Sequence, residues 1–213
     1  MSIKKIVLGF ALVWILGATS AVAEKAGLFA GVQLTKSWID SSYSVQRYYW
    51  WAYPTEGDGE DKSGLRFGAV VGYYVPLDEK MGVRAYIMGD LGKNLYNLNA
   101  NADFLFTLLQ LEKVEFRVFA GAYVGGVFIT DMETPYYRSS VSDDKEMTMG
   151  IDAGLNAGLR VVIADRHGID FFYRYGLLEA NIENKYSHWW YGTIKTTWKV
   201  QQSQAGIRYT FTF

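Results

Sequence analysis

Gly206-Ile207-Arg208-Tyr209-Thr210-Phe211-Thr212-Phe213 is apolar at every second position. Ile207, Tyr209, Phe211 and Phe213, extended backwards by Ala205, form one set, and Gly206, Arg208, Thr210 and Thr212 form the other. A period of two means a strand with one apolar and one polar face. At the edge of a water-soluble sheet, a strand finishing on such aromatics would fray and aggregate. Closing a barrel in lipid, the same strand is expected to bury them at the membrane boundary.

The pattern recurs. Apolar and polar or small residues alternate over 27–35, 65–75, 83–90, 98–108, 114–125, 149–161 and 169–176, which with 206–213 predicts eight strands. Short connections follow at 76–81, 92–97, 110–113 and 164–167, while 39–64, 128–148 and 178–197 are long. Tight turns on one rim and long loops on the other fit an all-β, eight-stranded antiparallel transmembrane up-and-down barrel, with short periplasmic turns and longer extracellular loops. Composition agrees. Half of the 213 residues are hydrophobic, yet mean hydropathy is −0.02, so apolar residues are dispersed and not massed into helical spans. Tyr, Phe and Trp number 16, 12 and 7, and 22 Gly stand against 3 Pro, a mixture that favours strands and turns.

The beginning of the chain differs in kind. Lys4 and Lys5 precede an apolar run over 6–16, and Ala21-Val22-Ala23 follows. This is the build of a secretory signal peptide over 1–23, cleaved between Ala23 and Glu24 to leave one barrel domain over 24–213. An uncleaved anchor is the competing reading, and the run is short for a full span. With Lys4 and Lys5 removed from the 21 basic residues, 19 remain against 22 acidic ones, a net charge of about −3 that gives a nucleic acid no purchase. No cysteine is present, so stability must come from the sheet itself.

Alternation alone does not say which face is inside, and a lipocalin-like barrel would bury the apolar set. The glycines decide for the opposite arrangement. Gly68 and Gly72, Gly121 and Gly125, and Gly150, Gly154 and Gly158 repeat every fourth residue in the polar set. There they weaken a solvated strand face for no return, but make room for long side chains in a narrow lumen. Turned inward, the polar set places Arg66, Arg84, Arg117, Arg160, Arg174 and Arg208 with Asp90, Asp103, Glu115, Asp152 and Asp170. Charges so confined must pair. Hairpin spacing sets Arg160 against Asp170 and Asp103 against Arg117, and requires an acid for Arg208. The expected result is a plugged lumen and not a diffusion pore. Carboxylates in a filled lumen leave a substrate no route, so no catalytic residue is assigned to them.

An export signal, eight amphipathic strands, long outer loops and a final Tyr209-x-Phe211-x-Phe213 resemble the small bacterial outer-membrane β-barrels of the OmpA, OmpX and opacity type. The resemblance is architectural and lacks the periplasmic domain of OmpA. It implies a monomer in the outer membrane in contact with lipids and lipopolysaccharide. It also implies that Tyr209, Phe211 and Phe213 are the assembly signal read by the barrel-assembly machinery. Members of the group serve envelope integrity, adhesion or resistance to host defences, and a minority modify lipid A.

Specific work is expected in the loops. Tyr49, Trp50, Trp51 and Tyr53, with Trp189, Trp190 and Tyr191, offer rigid aromatic area for a glycan or host protein. The plainer reading, and the favoured one, is an interfacial belt on strands that extend beyond the bilayer. Glu56, Asp58, Glu60 and Asp61, and Asp143, Asp144 and Glu146, read as solvated loop tips without EF-hand spacing, so no metal or cofactor is expected. The two histidines, His167 in a turn and His188 beside Ser187 in a loop, do not match the motif of lipid A deacylases. The leading expectation is a non-enzymatic surface or structural protein, adhesin-like through its loops. A small porin is the runner-up, and a lipid A-modifying enzyme a more distant third.

Overall fold

The structure, a computed structural model, describes residues 25–47, 55–58, 62–93, 95–129, 148–188 and 192–213. The signal segment with Ala23 and Glu24 lies outside them, as do Tyr49, Trp50, Trp51, Tyr53, Glu60, Asp61, Asp143, Asp144, Glu146, Trp189, Trp190 and Tyr191. The strands are β1 (Gly27–Arg47), β2 (Thr55–Asp58), β3 (Lys62–Pro76), β4 (Met81–Leu91), β5 (Leu95–Gln110), β6 (Val114–Ile129), β7 (Thr148–Ile163), β8 (His167–Gly176), β9 (Ala180–His188) and β10 (Gly192–Thr212).

Antiparallel pairing runs β1–β3–β4–β5–β6–β7–β8–β10 and returns to β1, closing an eight-stranded ring. β2 and β9 are additions to the ring, and the sequence reading placed both in loops. Residues 206–212 are the lower third of a 21-residue strand, β10, zipped to the equally long β1 from Phe29↔Thr212 to Arg47↔Ile194. The neighbours stop earlier, β3 at Ile39↔Lys62 and β8 at Ser203↔Tyr175. Beyond them β2 and β9 flank the pair, giving a four-stranded sheet in the order β2–β1–β10–β9. Twenty-one residues at ~3.3 Å each, tilted by ~45°, rise about 50 Å, twice the ~25 Å apolar band of a barrel in lipid. The seam therefore projects well beyond the band on the loop rim. Glu56 and Asp58, expected at a loop tip, belong to β2.

Exposure settles which face is inside. Val32, Phe67 and Ile151 are 62%, 68% and 63% exposed, whereas Thr35, Asp170 and Arg208 are at 0%, 0% and 1%. The apolar set faces outward and the polar set fills the lumen, as lipid around the wall demands and water would forbid. Among the described residues no helix is long and apolar enough to cross a membrane.

The turns are built from local chemistry. Between β3 and β4, Asp78 Oδ1 accepts from the backbone N–H groups of Lys80 and Met81, both at 2.7 Å, a side-chain substitute for a backbone turn. Between β7 and β8, Ala164 (φ 51°) and Asp165 (φ 62°) are both left-handed, and the Arg166 N–H reaches the Ile163 carbonyl at 3.4 Å. Two left-handed central residues twist the hairpin in the same sense as its strands. His167, expected in this turn, is the first residue of β8.

Candidate functional site: a three-level polar lumen under an apolar cap

All eleven charged residues assigned to the lumen are at most 5% exposed. They form three levels, because shear carries side chains of successive inward rows to different heights.

Nearest the turn rim, Glu115 Oε2 meets Arg117 Nη2 at 2.8 Å, and Glu115 Oε1 accepts from the Thr107 hydroxyl. Arg117 Nη1 donates to Tyr74 Oη at 2.6 Å, with the guanidinium over the Tyr74 ring. This corrects the expected Asp103–Arg117 pair. A bulge between Thr107 and Leu109 and a turn centred near 112 set Arg117 against Thr107 and Asp103 against Gly121. Gly121 has no side chain to answer Asp103, and Arg84 from β4 does so instead.

The middle level is one network. Asp103 accepts from Arg84 Nε at 2.8 Å, Asn156 Nδ2 at 2.6 Å and Tyr86 Oη at 3.1 Å. Asp170 accepts from Arg84 Nη1 and Arg160 Nη1, each at 2.7 Å, and Arg208 Nη1 lies 3.6 Å away. Arg160 and Arg208 are its register neighbours on the two sides, β7 and β10. Arg208 thus has an acid, and its Nε also donates to Gln33 Oε1 at 2.9 Å; Gln33 in turn donates to Asp90. Aromatic faces complete the packing: Arg84 lies over Phe119 and Arg208 over Phe172, at 4.4 Å and 4.6 Å from the ring centres.

On the third level direct ion pairs give way to neutral partners. The amides of Asn97 and Gln202 lie against Arg66, and the orientation assigned from the surrounding donors turns their oxygens to its guanidinium. Arg174 stacks on Tyr123 at 3.7 Å, donates to Gln204 Oε1 at 3.2 Å and reaches Met88 Sδ at 3.7 Å, while Tyr123 donates to Asp152 at 3.3 Å. The Arg174 Nε and Nη2 groups have no hydrogen-bond acceptor. Burying unsatisfied donors costs stability, so Arg174→Met is expected to cost less than half of what Arg84→Met costs, measured by urea unfolding in detergent. Equal losses would show that Arg174 is as well compensated as Arg84.

Above this level the lumen turns apolar. Leu95, Val127, Ala180 and Val200 are buried together, with Ile39 and Trp198 packed on them and the Trp198 ring tilted against Tyr43 at 5.1 Å between centres. A second inward group, Phe29, Val70, Tyr74, Tyr86, Met88, Leu105, Phe119 and Phe172, fills the space between the charges. The sequence reading passed over Val70, Leu105 and Val127 because they sit on the polar face; their position in the inward register is the signal that finds them. At the turn rim, Tyr209 Oη lies 2.7 Å from His167 Nδ1, and the rings of His167, Phe211 and Phe213 stack edge to face in succession.

No family model matches the chain, and no curated protein sequence matches it. Solved structures do match in fold. The outer membrane protein OprG from Pseudomonas aeruginosa is similar over 90% of this chain and 99% of its own, with a TM-score of 0.53 at 12% identity. Neisserial surface protein A is similar over 88% of this chain and 99% of its own (TM-score 0.45, 11% identity). Ail, the attachment invasion locus protein of Yersinia pestis, solved with the heparin analogue sucrose octasulfate, covers 85% and 99% (TM-score 0.36, 17% identity). The fold is that of the small outer-membrane β-barrels.

Proposed function

We propose that the chain is a non-enzymatic barrel of the bacterial outer membrane whose lumen is closed and whose seam carries a stiff projection at the cell surface. One observation carries this reading: Glu115, Arg117, Arg84, Asp103, Asp170, Arg66 and Arg174 stand at three levels and none is more than 5% exposed. A channel wide enough for water or ions would leave its lining accessible, and these charges are not. The similarity to OprG, an outer-membrane protein, supports the location at the level of fold. In this reading outer-membrane lipids and lipopolysaccharide surround the wall. Tyr209, Phe211 and Phe213 serve as the signal to the barrel-assembly machinery, and the monomer presents its loops to a glycan or host-protein ligand, as an adhesin does. The aromatic residues named for that contact lie outside the described residues, so the support for it is the β2–β1–β10–β9 sheet itself, which extends beyond the neighbouring strands.

Recording in planar bilayers tests the closed lumen. The purified chain is expected to insert and give no resolved conductance steps. Steady unitary steps would instead make it a small porin.

A further inference from the structure

Among the described residues eleven charged side chains are buried, and they do not balance: six are arginines and five are carboxylates. Nearest the turn rim the charges match, Glu115 with Arg117. In the middle, Asp103 and Asp170 serve three cations, Arg84, Arg160 and Arg208. On the third level Arg66 and Arg174 share the lumen with Asp90 and Asp152, and neither arginine makes a direct ion pair with a described acid. Their hydrogen-bond partners are the amides of Asn97, Gln202 and Gln204 and the Met88 sulfur. One positive charge is therefore left over in a wall that water does not reach, where an uncompensated ion is strongly unfavourable.

The excess falls on Arg174, which is 2% exposed. One face of its guanidinium lies on the Tyr123 ring, and both contacts of its Nη1, to Gln204 and Met88, are neutral. The opposite edge, Nε with Nη2, has no acceptor. Those two N–H groups point the same way, as the fork that takes one anion at two points. Asn99 is 1% exposed, and neither atom of its amide has a partner. It is the register neighbour of Met88, so it stands beside the sulfur that Arg174 reaches. Water would answer these donors but not the charge. Asp90 and Asp152 both act on Arg174 electrostatically, so a multiply charged ion would meet repulsion that a single charge just offsets.

We propose that Arg174 Nε and Nη2 hold one monovalent inorganic anion of the halide class as a resident part of the lumen, with the Asn99 amide as its neutral donor. The middle network lies below this level and the apolar group of Leu95, Val127, Ala180 and Val200 above it. The ion is therefore taken up as the barrel closes and is not exchanged through it. The proposal rests on the closed-lumen reading, since a lining in contact with water would need no resident ion.

For the test, the wild type is refolded from urea into micelles containing bromide, crystallised, and read by anomalous diffraction at the bromine edge. A bromide is expected within hydrogen-bonding reach of Arg174 Nε and Nη2. In parallel, urea unfolding is measured in chloride and in gluconate at one ionic strength. Above the dissociation constant, each tenfold rise in chloride should raise the folding constant about tenfold, the slope of one bound ion. Arg174→Met is expected to abolish that dependence, and Glu179→Gln, at an exposed contact, to keep it. Gluconate leaves Arg174 uncompensated, so the small cost of Arg174→Met expected above holds in that buffer and grows in chloride. No bromide at Arg174, or a chloride dependence that survives Arg174→Met, would overturn the site. If Arg174→Met does not fold, the bromide position in the wild type decides. Steady conductance steps in planar bilayers would overturn the closed lumen and the resident ion together, whereas a missing bromide in a chain that conducts nothing would overturn the ion alone.

Discussion

Asp170→Asn is expected to lower the unfolding free energy by about 3–5 kcal/mol, the range for breaking a buried ion pair by removing one partner. Asp170 is fully buried and lies 2.7 Å from two guanidinium groups and 3.6 Å from a third. Its loss would leave Arg84 with Asp103 alone, Arg160 with Thr210 and Arg208 with Gln33. The amide keeps the volume, so the loss reports charge and not a cavity. Part of it is therefore recoverable: adding Arg208→Met to Asp170→Asn removes one of the three cations that Asp170 faces, and the double variant should be more stable than Asp170→Asn alone. Urea unfolding in micelles measures both. Glu179→Gln, which breaks the exposed contact with Lys199 at 3.8 Å, is the reference and should shift stability by no more than ~0.5 kcal/mol. If Asp170→Asn moved the midpoint no further than Glu179→Gln, the middle network would contribute nothing to folding.

The contrast between these acids shows what the sequence could and could not reveal. Asp170 and Arg160 were assigned to each other because both stand five positions from Asp165 in a tight turn. The same argument failed for Asp103 and Arg117: that pair needs a turn centred at 110, whereas the turn is centred near 112 and Asp103 falls opposite Gly121, four positions further on. The Arg84–Asp170 bond spans 86 positions and exists only because the ring closes, so no local spacing announces it. Strand parity was legible wherever one face meets lipid. It vanished over Ser41-Ser42-Tyr43-Ser44 and Gly192-Thr193, where both faces of the projecting seam are polar or small and the period of two carries no hydrophobic signal. That is why β1 and β10 each look about half their length in the sequence, and why β2 and β9 were read as loop. The arginines of the third level were recognised as inward, but their pairing with Asn97, Gln202, Gln204, Tyr123 and Met88 was not, because neutral partners leave no charge pattern to match.

Gly31→Val is expected to prevent stable closure of the barrel. Gly31 sits on the seam, registered to Thr210 on β10 and Val70 on β3. A β-carbon added there would press on the Tyr209 carbonyl oxygen and stand 3.0 Å from Thr210 Cα and 2.9 Å from its Cγ2. Two of these three atoms are backbone, and Thr210 is itself fully buried and bonded to Arg160, so no rotamer change relieves the contact. Relief requires moving β1 away from β10, which breaks the longest ladder in the molecule and exposes unpaired backbone to lipid, where it has no other partner. Overpacking of a tight site costs about 1–3 kcal/mol when the surroundings can yield, and here the loss should exceed that range. Gly64→Val separates clash from the general effect of a branched side chain, since a β-carbon at Gly64 meets nothing within 4 Å. That variant should refold to the compact heat-modifiable form like the wild type, with stability within ~0.5 kcal/mol. Gly31→Val should show mostly the extended, unfolded band under the same conditions, and Gly31→Ala an intermediate yield. Equal folding yields for the Gly31 and Gly64 variants would mean that β1 and β10 are not held together closely enough for the seam to close the wall.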